Sequence, residues 1–472
     1  MDRSGDCGHL VSRSSGNGEA GLSGGWSNQH GKKIMKLGLF YEHQLPRPWK
    51  DGSEQDLFCN ALEQIGLADR LGFDHVWQVE HHFLEEYSHS SAPEVFLGAV
   101  SQRTKNIRLG HGVCLSPPNY NHPARVAERL ATLDVISGGR VDWGTGESAS
   151  LIEMHGFGIE PEAKSDMWRE GVEQTANMMT MQPYPGYDGQ FFRMPVRNVV
   201  PKPVQKPHPP IWMACSRRES ILRAARHGLG ALVFGFVEAS QAKVWRDEYY
   251  NIIKSEECVP IGHSVNANIA ALNGMMVHDN AEEAMRRGLD GFRFFGYSIA
   301  HYAVYGEHRP GRTDLWRRFQ TIKADMKDTP GSGSIGRPQS VREHLMGYAD
   351  IGIDQMIFIQ QCGMNKHEHI CEALELFATE VMPALKEKED RRVRRKEEEL
   401  APYVERALAR KLRRPELSES DIPSVEAIGV VLERRTGKDY ASAGGAYADP
   451  TRGGAIPMVS REAFIRSAKG EL

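Results

Sequence analysis

Three residues whose side chains can move protons or bind metals stand together near position 80. The segment DHVWQVEHHFLEEY, residues 74–87, runs from apolar residues into Glu80, His81 and His82. An imidazole titrates near neutral pH and suits general acid–base catalysis, and imidazole with carboxylate is also a common set of metal ligands. The simpler alternative is that these residues cap a strand and bond to the loop backbone.

Further candidate binding residues follow three other apolar runs. Arg125 opens a predicted helix and can offer a fixed guanidinium to an anion. Ser216 and Ser220, in WMACSRRES, open another helix whose N-terminal amides suit a phosphate, although a plain helix cap explains Ser216 equally well. Thr145 and Gly146 end WGTG, where missing side chains let a flat ring approach the backbone unless the glycines only form a tight turn. Arg125 and the serines together favour a phosphorylated cofactor.

Eight units, each an apolar strand followed by an amphipathic helix, must position these residues. Alternating strands and helices predict parallel strands with right-handed crossovers, and eight units predict a (β/α)8 TIM barrel with insertions. In such a barrel the active site lies at the carboxyl ends of the strands, where Glu80, His81 and His82 fall. The predicted strands are residues 36–40, 75–80, 107–115, 140–146, 210–215, 230–235, 268–277 and 355–361.

The barrel is predicted to span residues 35–385, with two insertions that are candidates for a lid. Residues 181–209 are too rich in proline to be mostly helical, and residues 291–338 separate the helix after the seventh strand from the last strand–helix unit. Residues 1–34 are Gly/Ser-rich and lack the apolar core of a signal peptide, so we expect a disordered N-terminal extension. Residues 386–472 read as a charged helix followed by a Gly/Ala-rich tail, a C-terminal extension.

Composition limits the class of protein further. The 472 residues are 40% hydrophobic and 25% charged, which is typical of a globular chain, and the net charge of -4 gives no reason to expect nucleic acid as a partner. The seven cysteines form no CxxC pair, so neither a zinc knuckle nor a disulfide framework is indicated, and a cytoplasmic location fits best. No apolar run approaches the roughly 20 residues that span a bilayer, so no membrane association is expected.

A metal centre is the less favoured interpretation of the histidines. His82 and Glu86 have a spacing that could chelate a metal if their loop were helical. Metal-dependent barrel hydrolases, however, typically carry an HxH motif after the first strand, and here that strand ends in Tyr41-Glu42-His43. We therefore predict no bound metal and keep a metal-dependent TIM-barrel hydrolase only as an alternative of another class.

Longer motifs carry a resemblance to a known family. LGFDHVWQVEHHF, RTKNIRLGHGVCLSPPNYNHPARVAERLATLDVISGGRVDWGTGES and PPIWMACSRRES resemble, in this order, the bacterial luciferase-like flavin monooxygenases over residues 35–385. The resemblance implies a (β/α)8 barrel that takes reduced FMN from a separate flavin reductase and reacts it with O2. A C4a-(hydro)peroxyflavin would then oxidise a small organic substrate. Barrels of this kind commonly pair, so we expect a homodimer or higher oligomer.

The resemblance also implies roles near the flavin ring. The first histidine of the EHHF motif, here His81, would lie beside the flavin and be needed for oxygenation. Glu80 and His82 would orient it. A cis peptide bond against the ring would match Gly112–Val113, at a cost of about 3 kcal/mol that the fold must offset.

The flavin phosphate is assigned by the same resemblance. The arginine of the HPxR motif, here Arg125, would contact the phosphate, together with Ser216 and less firmly Ser220. Luciferase has an acidic residue before the serine where this chain has Cys215, so the phosphate contacts can differ. Some members of the superfamily instead use a deazaflavin, coenzyme F420, to move hydride. A dehydrogenase or reductase that depends on F420 is therefore the main alternative.

Overall fold

The computed structural model describes residues 35–327, 330–386, 389–438, 466–468 and 470. The disordered extension predicted for residues 1–34 and most of the predicted Gly/Ala-rich tail lie outside the described residues. The chain divides into two compact units, of which the first ends at Arg414 and the second begins at Pro415. Within itself, the second unit has a 3₁₀ turn, Glu419–Asp421, and a helix, Ile428–Thr436.

Eight parallel strands close into a barrel, which confirms the predicted (β/α)8 TIM fold. Each strand pairs with the next one along the chain, and the last pairs with the first. The strands are buried along almost their whole length, because helices cover the outer face and side chains fill the interior. They are β1 (Lys36–Tyr41), β2 (His75–Gln78), β3 (Arg108–Leu115), β4 (Val141–Gly146), β5 (Ile211–Cys215), β6 (Gly230–Val233), β7 (Ile269–Gly274) and β8 (Gln355–Gln360).

Helices surround the barrel, and local sequence sets several of their ends. Pro93 and Pro123 occupy the first turns of two helices, and Gly72 ends the first helix in the left-handed conformation. The helices are α1 (Ser53–Leu71), α2 (Pro93–Arg103), α3 (Pro123–Ser137), α4 (Leu151–Gly156), α5 (Lys164–Thr180), α6 (Arg218–Arg226), α7 (Ala239–Ile253), α8 (Ala281–Ala300), α9 (Leu315–Ile322), α10 (Pro338–Asp350), α11 (His367–Leu376), α12 (Met382–Lys386) and α13 (Glu389–Arg410). Among the described residues no helix is long and apolar enough to cross a membrane.

Strands β3 and β4 are irregular where they approach each other. Their register shifts between His111 and Cys114, so β3 carries a bulge. A side chain at Gly144 would place its Cβ only 2.0 Å from the carbonyl oxygen of His111, so glycine is required for this close approach. The prediction of a cis Gly112–Val113 bond is wrong for this structure, whose cis peptide bonds among the described residues all precede proline.

The two predicted insertions are partly ordered into regular elements. Residues 181–209 contain a short hairpin, Tyr187–Asp188 with Arg193–Met194, and otherwise run irregularly. The first ten residues of the predicted 291–338 insertion belong to α8, because the apolar side of this helix continues through Phe292, Phe294 and Phe295, all of them buried. The segment between α8 and α10 then contains α9.

Helix α13 packs against the barrel. Nζ of Lys396 lies 2.7 Å from the Asp354 carboxylate at the start of β8, and Leu400 and Ala407 are buried. The guanidinium of Arg410 donates to the backbone carbonyl of Cys258. The charged helix expected after the barrel is therefore present, and it binds the loops at the amino-terminal end of the barrel. The predicted domain boundaries themselves stay predictions.

Candidate active site

His81 lies between two buried carboxylates at the carboxyl end of the barrel. Its Nδ1 is 2.9 Å from Oε1 of Glu153, and its Nε2 is 3.7 Å from Oε2 of Glu42. The His81 side chain keeps 22% of its surface exposed, whereas Glu153 and Glu42 are almost fully enclosed. The imidazole is therefore held by Glu153 at Nδ1, faces Glu42 at Nε2, and still presents part of its ring to open space.

The three side chains come from segments that follow three different strands, β1, β2 and β4. Glu42 directly follows β1 and accepts a hydrogen bond from the hydroxyl of Tyr87 at 2.8 Å. Glu153 stands in α4, after β4, and accepts from the backbone N–H of His82 and from the hydroxyl of Ser148. Since the carboxyl ends of parallel barrel strands meet on one face, loops that are distant in the chain converge here.

The electrostatics of this cluster favour a charged imidazole. Burial by itself lowers the pKa of His81, but the Glu153 and Glu42 carboxylates outweigh it and raise the pKa to about 9. Burial disfavours ionisation of Glu153 as well, yet His81 and the hydrogen bonds lower its pKa overall. Burial raises the pKa of Glu42 to about 7, against the opposing effects of His81 and Tyr87. The cluster thus combines a cationic histidine, an ionised Glu153 and a Glu42 that titrates near neutrality.

The side chains of Glu80 and His82, which were expected to orient His81, make no hydrogen bond to its ring among the described residues, and an orienting role for them stays a prediction. Nε2 of His82 lies 3.2 Å from Oε1 of Glu80, so the two residues pair with each other. Glu80 also accepts from the backbone N–H of Leu115 at 2.7 Å and from the amide of Asn121 at 2.7 Å. Glu80 therefore anchors the loop that follows β3, and its influence on His81 is a longer-range charge effect.

Arg125, Ser216 and Ser220 stand on different elements, and among the described residues no hydrogen bond joins Arg125 to either serine. Arg125 lies in the first turn of α3 with 63% of its side chain exposed, and its guanidinium pairs with Glu128 at 2.7 Å. Ser216 follows β5 and is exposed, while the hydroxyl of Ser220 bonds to the backbone of Arg217 in the first turn of α6. The alternative that Ser216 caps the helix is wrong, because Arg217 occupies the cap position. The phosphate contacts assigned to these residues stay predictions.

The residues proposed to face a flat ring differ in their burial and in their contacts. The hydroxyl of Thr145 donates to the carbonyl of Trp212 at 3.0 Å and accepts from the indole of Trp168 at 3.1 Å, so its side chain is occupied by buried contacts. A Cβ at Gly146 would lie 2.5 Å from Cγ2 of Val113, so this glycine makes room for the neighbouring strand. Gly146 ends a continuous strand and forms no tight turn. Gly112 is buried and Val113 is partly exposed.

Sequence reasoning missed a polar group between α5 and α6. The Arg223 guanidinium binds Glu147 at 3.0 Å and the hydroxyl of Ser165 at 2.9 Å. Nζ of Lys164 donates to the carbonyl of Ser148, and the positive charges of Arg217 and Arg223 lower the pKa of this lysine after the larger effect of burial. Arg223 stands one helical turn after Ser220, a spacing that could have indicated a shared face.

The profile of the family described as "Luciferase-like monooxygenase" matches residues 35–355, which is more than half of the chain. The chain belongs to the luciferase-like monooxygenase family. It is thus an oxidoreductase on a TIM barrel, which confirms the resemblance and is incompatible with the hydrolase alternative. Among the described residues no group of three or more His, Cys, Asp or Glu side chains could hold a metal.

Two known proteins resemble this chain over about three quarters of its length. The oxygenase component of a flavin-dependent trigonelline monooxygenase of Acinetobacter baylyi is 27% identical over 76% of this chain and 98% of its own length. The crystal structure of monooxygenase RslO1 from Streptomyces bottropensis has a TM-score of 0.61 and 26% identity, and covers 74% of this chain and 99% of that one.

Two more distant solved structures share the fold. One is the oxygenating constituent of 3,6-diketocamphane monooxygenase of Pseudomonas putida in complex with FMN, with a TM-score of 0.57 and 20% identity over 74% of this chain and 98% of that one. The other is an F420-dependent secondary alcohol dehydrogenase, with a TM-score of 0.56 and 18% identity over 75% of this chain and 99% of that one. The fold by itself therefore does not select one cofactor.

Proposed function

We propose that this chain is the oxygenase of a two-component monooxygenase that takes reduced FMN from a separate flavin reductase and uses O2 to oxidise a small organic substrate. One observation carries the proposal. An imidazole held cationic between two carboxylates, His81 with Glu42 and Glu153, lies at the barrel mouth of a chain that belongs to a monooxygenase family. The relative from Acinetobacter baylyi is named as an oxygenase component, which supports a partner reductase.

The residues after β5 fit the phosphate of such a cofactor. Ser216 is exposed, and α6 begins two residues later, so the amides of Arg218 and Glu219 in its first turn suit an anion, whereas the amide of Ser220 is already bonded to the carbonyl of Arg217. Lys164, Arg217 and Arg223 place positive charge around this helix start, although Arg223 is already paired with Glu147. Arg125 points its charge to Glu128, so we assign the larger share of phosphate binding to the α6 side.

His81 would supply acid chemistry beside the bound ring. Reduced FMN supplies the activation of O2 when it is bound, and the protein must orient it and exclude water. A charged imidazole can stabilise developing negative charge and deliver a proton from Nε2, while Nδ1 stays fixed on Glu153. With a pKa of about 9, His81 stays protonated across the neutral range.

Aromatic side chains give this site an enclosed wall. The ring of Tyr87 lies 5.4 Å from that of His81, and it also contacts Phe295 of α8 and Tyr302 just beyond it. The buried carboxylate of Glu86 accepts from the backbone N–H groups of Leu315 and Trp316 at the start of α9. The segment between α8 and α10 is thereby tied to the loop that carries His81, which suits a cover that keeps water out.

An anaerobic titration with reduced FMN, followed by mixing with air-saturated buffer, tests the proposal. We expect saturable binding of reduced FMN and a transient absorbance in the near ultraviolet before oxidised flavin appears. Binding of coenzyme F420 without binding of reduced FMN would overturn the proposal and make this chain a dehydrogenase or reductase that moves hydride. Sedimentation of the same protein checks the predicted homodimer or higher oligomer.

A further inference from the structure

One oxygen of Glu42 is buried without a hydrogen bond. The residue is 2% exposed, and its Oε1 accepts from the hydroxyl of Tyr87 at 2.8 Å. Its Oε2 makes no hydrogen bond with any described residue and lies 3.7 Å from Nε2 of His81. A buried carboxylate oxygen without a donor is costly, so its position opposite an N–H group calls for a function.

The two carboxylates beside His81 differ in how they are stabilised. Glu153 accepts three hydrogen bonds, from Nδ1 of His81, the backbone of His82 and the hydroxyl of Ser148. Glu42 accepts one at its carboxylate, from Tyr87, and the nearby hydroxyl of Ser88, which bonds to the Glu42 backbone carbonyl, lowers its pKa further. Donors stabilise the ionised form of a carboxylate, so Glu153 stays charged whereas Glu42 exchanges its proton readily. Only Glu42 faces the nitrogen of His81 that is not engaged by Glu153.

We propose that Glu42 is a positioning residue that, in its protonated form, returns a proton to Nε2 each time the His81 imidazole gives one away. The O–H bond of Glu42 breaks as the N–H bond at Nε2 of His81 forms again, Glu42 is left ionised until it takes up a proton from water, and no electrons are gained or lost. Closing the 3.7 Å separation by about 1 Å brings the two atoms to hydrogen-bond distance. The inference rests on the proposed function only in one respect, namely that His81 donates its proton during the oxygenation reaction.

The charged and titratable groups around this pair come from several elements. His81 faces Glu153 of α4 and Glu42 after β1, and it also senses Glu80 at the end of β2. Glu42 faces His81 and Tyr87, senses the charge of Glu153, and lies near the thiol of Cys362 in the loop after β8. Burial raises the pKa of Tyr87 and of Cys362 far above neutrality, so neither of these groups competes with Glu42 near pH 7.

The test follows the ring nitrogens of His81 by NMR in protein labelled with ¹⁵N-histidine and kept free of flavin, with His81→Asn for assignment. We expect a main step near pH 9 and a smaller step near pH 7, the latter reporting Glu42. In Glu42→Gln the smaller step should vanish and the main step should fall by roughly one pH unit or more. Glutamine still accepts the Tyr87 hydrogen bond, so the site keeps its shape.

Two further variants make the result specific. Tyr87→Phe removes the donor that favours ionised Glu42, so the smaller step should move to higher pH. Glu42→Asp keeps a carboxylate at this position, so it should restore the step that Glu42→Gln has lost. A single step in the wild-type protein, or a His81 titration that is the same in Glu42→Gln and wild type, would overturn the proposal. Since no flavin is present, these outcomes are independent of whether the enzyme uses FMN or F420.

Discussion

Oε1 of Glu153 lies 2.9 Å from Nδ1 of His81 although 72 residues separate the two in the chain. The same oxygen accepts the backbone N–H of His82, so one carboxylate fixes both the ring and the loop that carries it. The contact orients Nε2, the nitrogen that remains for chemistry, towards Glu42. The histidine is therefore positioned from α4, while the side chains of Glu80 and His82 hydrogen-bond to each other.

His81→Ala should leave the binding of reduced FMN nearly unchanged and abolish productive oxygenation, because the acid of the site is lost while the phosphate contacts remain. The measurement is product formed per reduced FMN consumed, with hydrogen peroxide as the unproductive product. His89→Ala is a matched control, since this histidine of the same loop pairs with exposed Glu54. An undiminished product yield in His81→Ala would remove this residue from the mechanism.

Arg217→Ala should weaken FMN more than riboflavin, because only FMN carries the phosphate that the start of α6 would bind. The neighbouring Arg218→Ala is the control, since that guanidinium pairs with Glu248 on the exposed side of the helix. Fluorescence titration with both ligands gives the two dissociation constants, and a loss of roughly tenfold for FMN corresponds to about 1.4 kcal/mol. Arg125→Ala should weaken FMN less than Arg217→Ala does. If Arg125→Ala weakens FMN more, the phosphate binds on the α3 side.

Glu86→Ala should loosen the segment that covers the site. This buried carboxylate accepts the backbone N–H groups of Arg47, Leu315 and Trp316, and each donor left unpaired costs about 1–3 kcal/mol. Hydrogen exchange should therefore speed up in residues 308–320 and around Arg47, with little change in the barrel strands. Asp314→Ala, which removes only the cap of α9, should affect that helix alone. Unchanged exchange in Glu86→Ala would show that other contacts hold the segment.

The stability of the protein should depend on Glu42 in the acidic range. Burial raises the pKa of this residue from 4.5 to about 7, so the folded protein binds more protons here than the unfolded chain between these values. The contribution of Glu42 to stability therefore falls as the pH rises through this range, by roughly 1 kcal/mol per pH unit. Urea titrations from about pH 5 to pH 7 should show Glu42→Gln gaining stability relative to wild type, and a constant difference would contradict this.

Lys396→Met should lower the free energy of unfolding by about 1–3 kcal/mol, because the buried carboxylate of Asp354 loses its nearest cation. Burial disfavours ionisation of Asp354, but Lys396 and Arg392 lower its pKa overall. This contribution is present at neutral pH and is lost on acidification, so the difference between Lys396→Met and wild type should shrink at low pH. Glu399→Gln, on the exposed side of α13, should change stability by much less.

The sequence by itself determined the barrel and the position of His81 within it. Periodic apolar strands, each followed by an amphipathic helix, are local signals, and their count and order predict parallel closure. A polar residue directly after a buried barrel strand lies at the carboxyl end of the barrel, where the active site forms, regardless of the conformation of the loops. His81 and the start of α6 near Ser216 could therefore be placed from sequence.

Only the tertiary structure decided which side chains meet. Glu153 stands in a helix after β4 and Glu42 at the end of β1, and no spacing in the chain relates either to His81. Arg125 was expected at the phosphate, which stays a prediction, and the structure pairs its guanidinium with Glu128 on the same helix. Contacts between loops depend on how each chain segment leaves its strand and on which way each helix is rotated. The path of each loop and the rotation of each helix are set by packing across the whole barrel, and local sequence does not encode them.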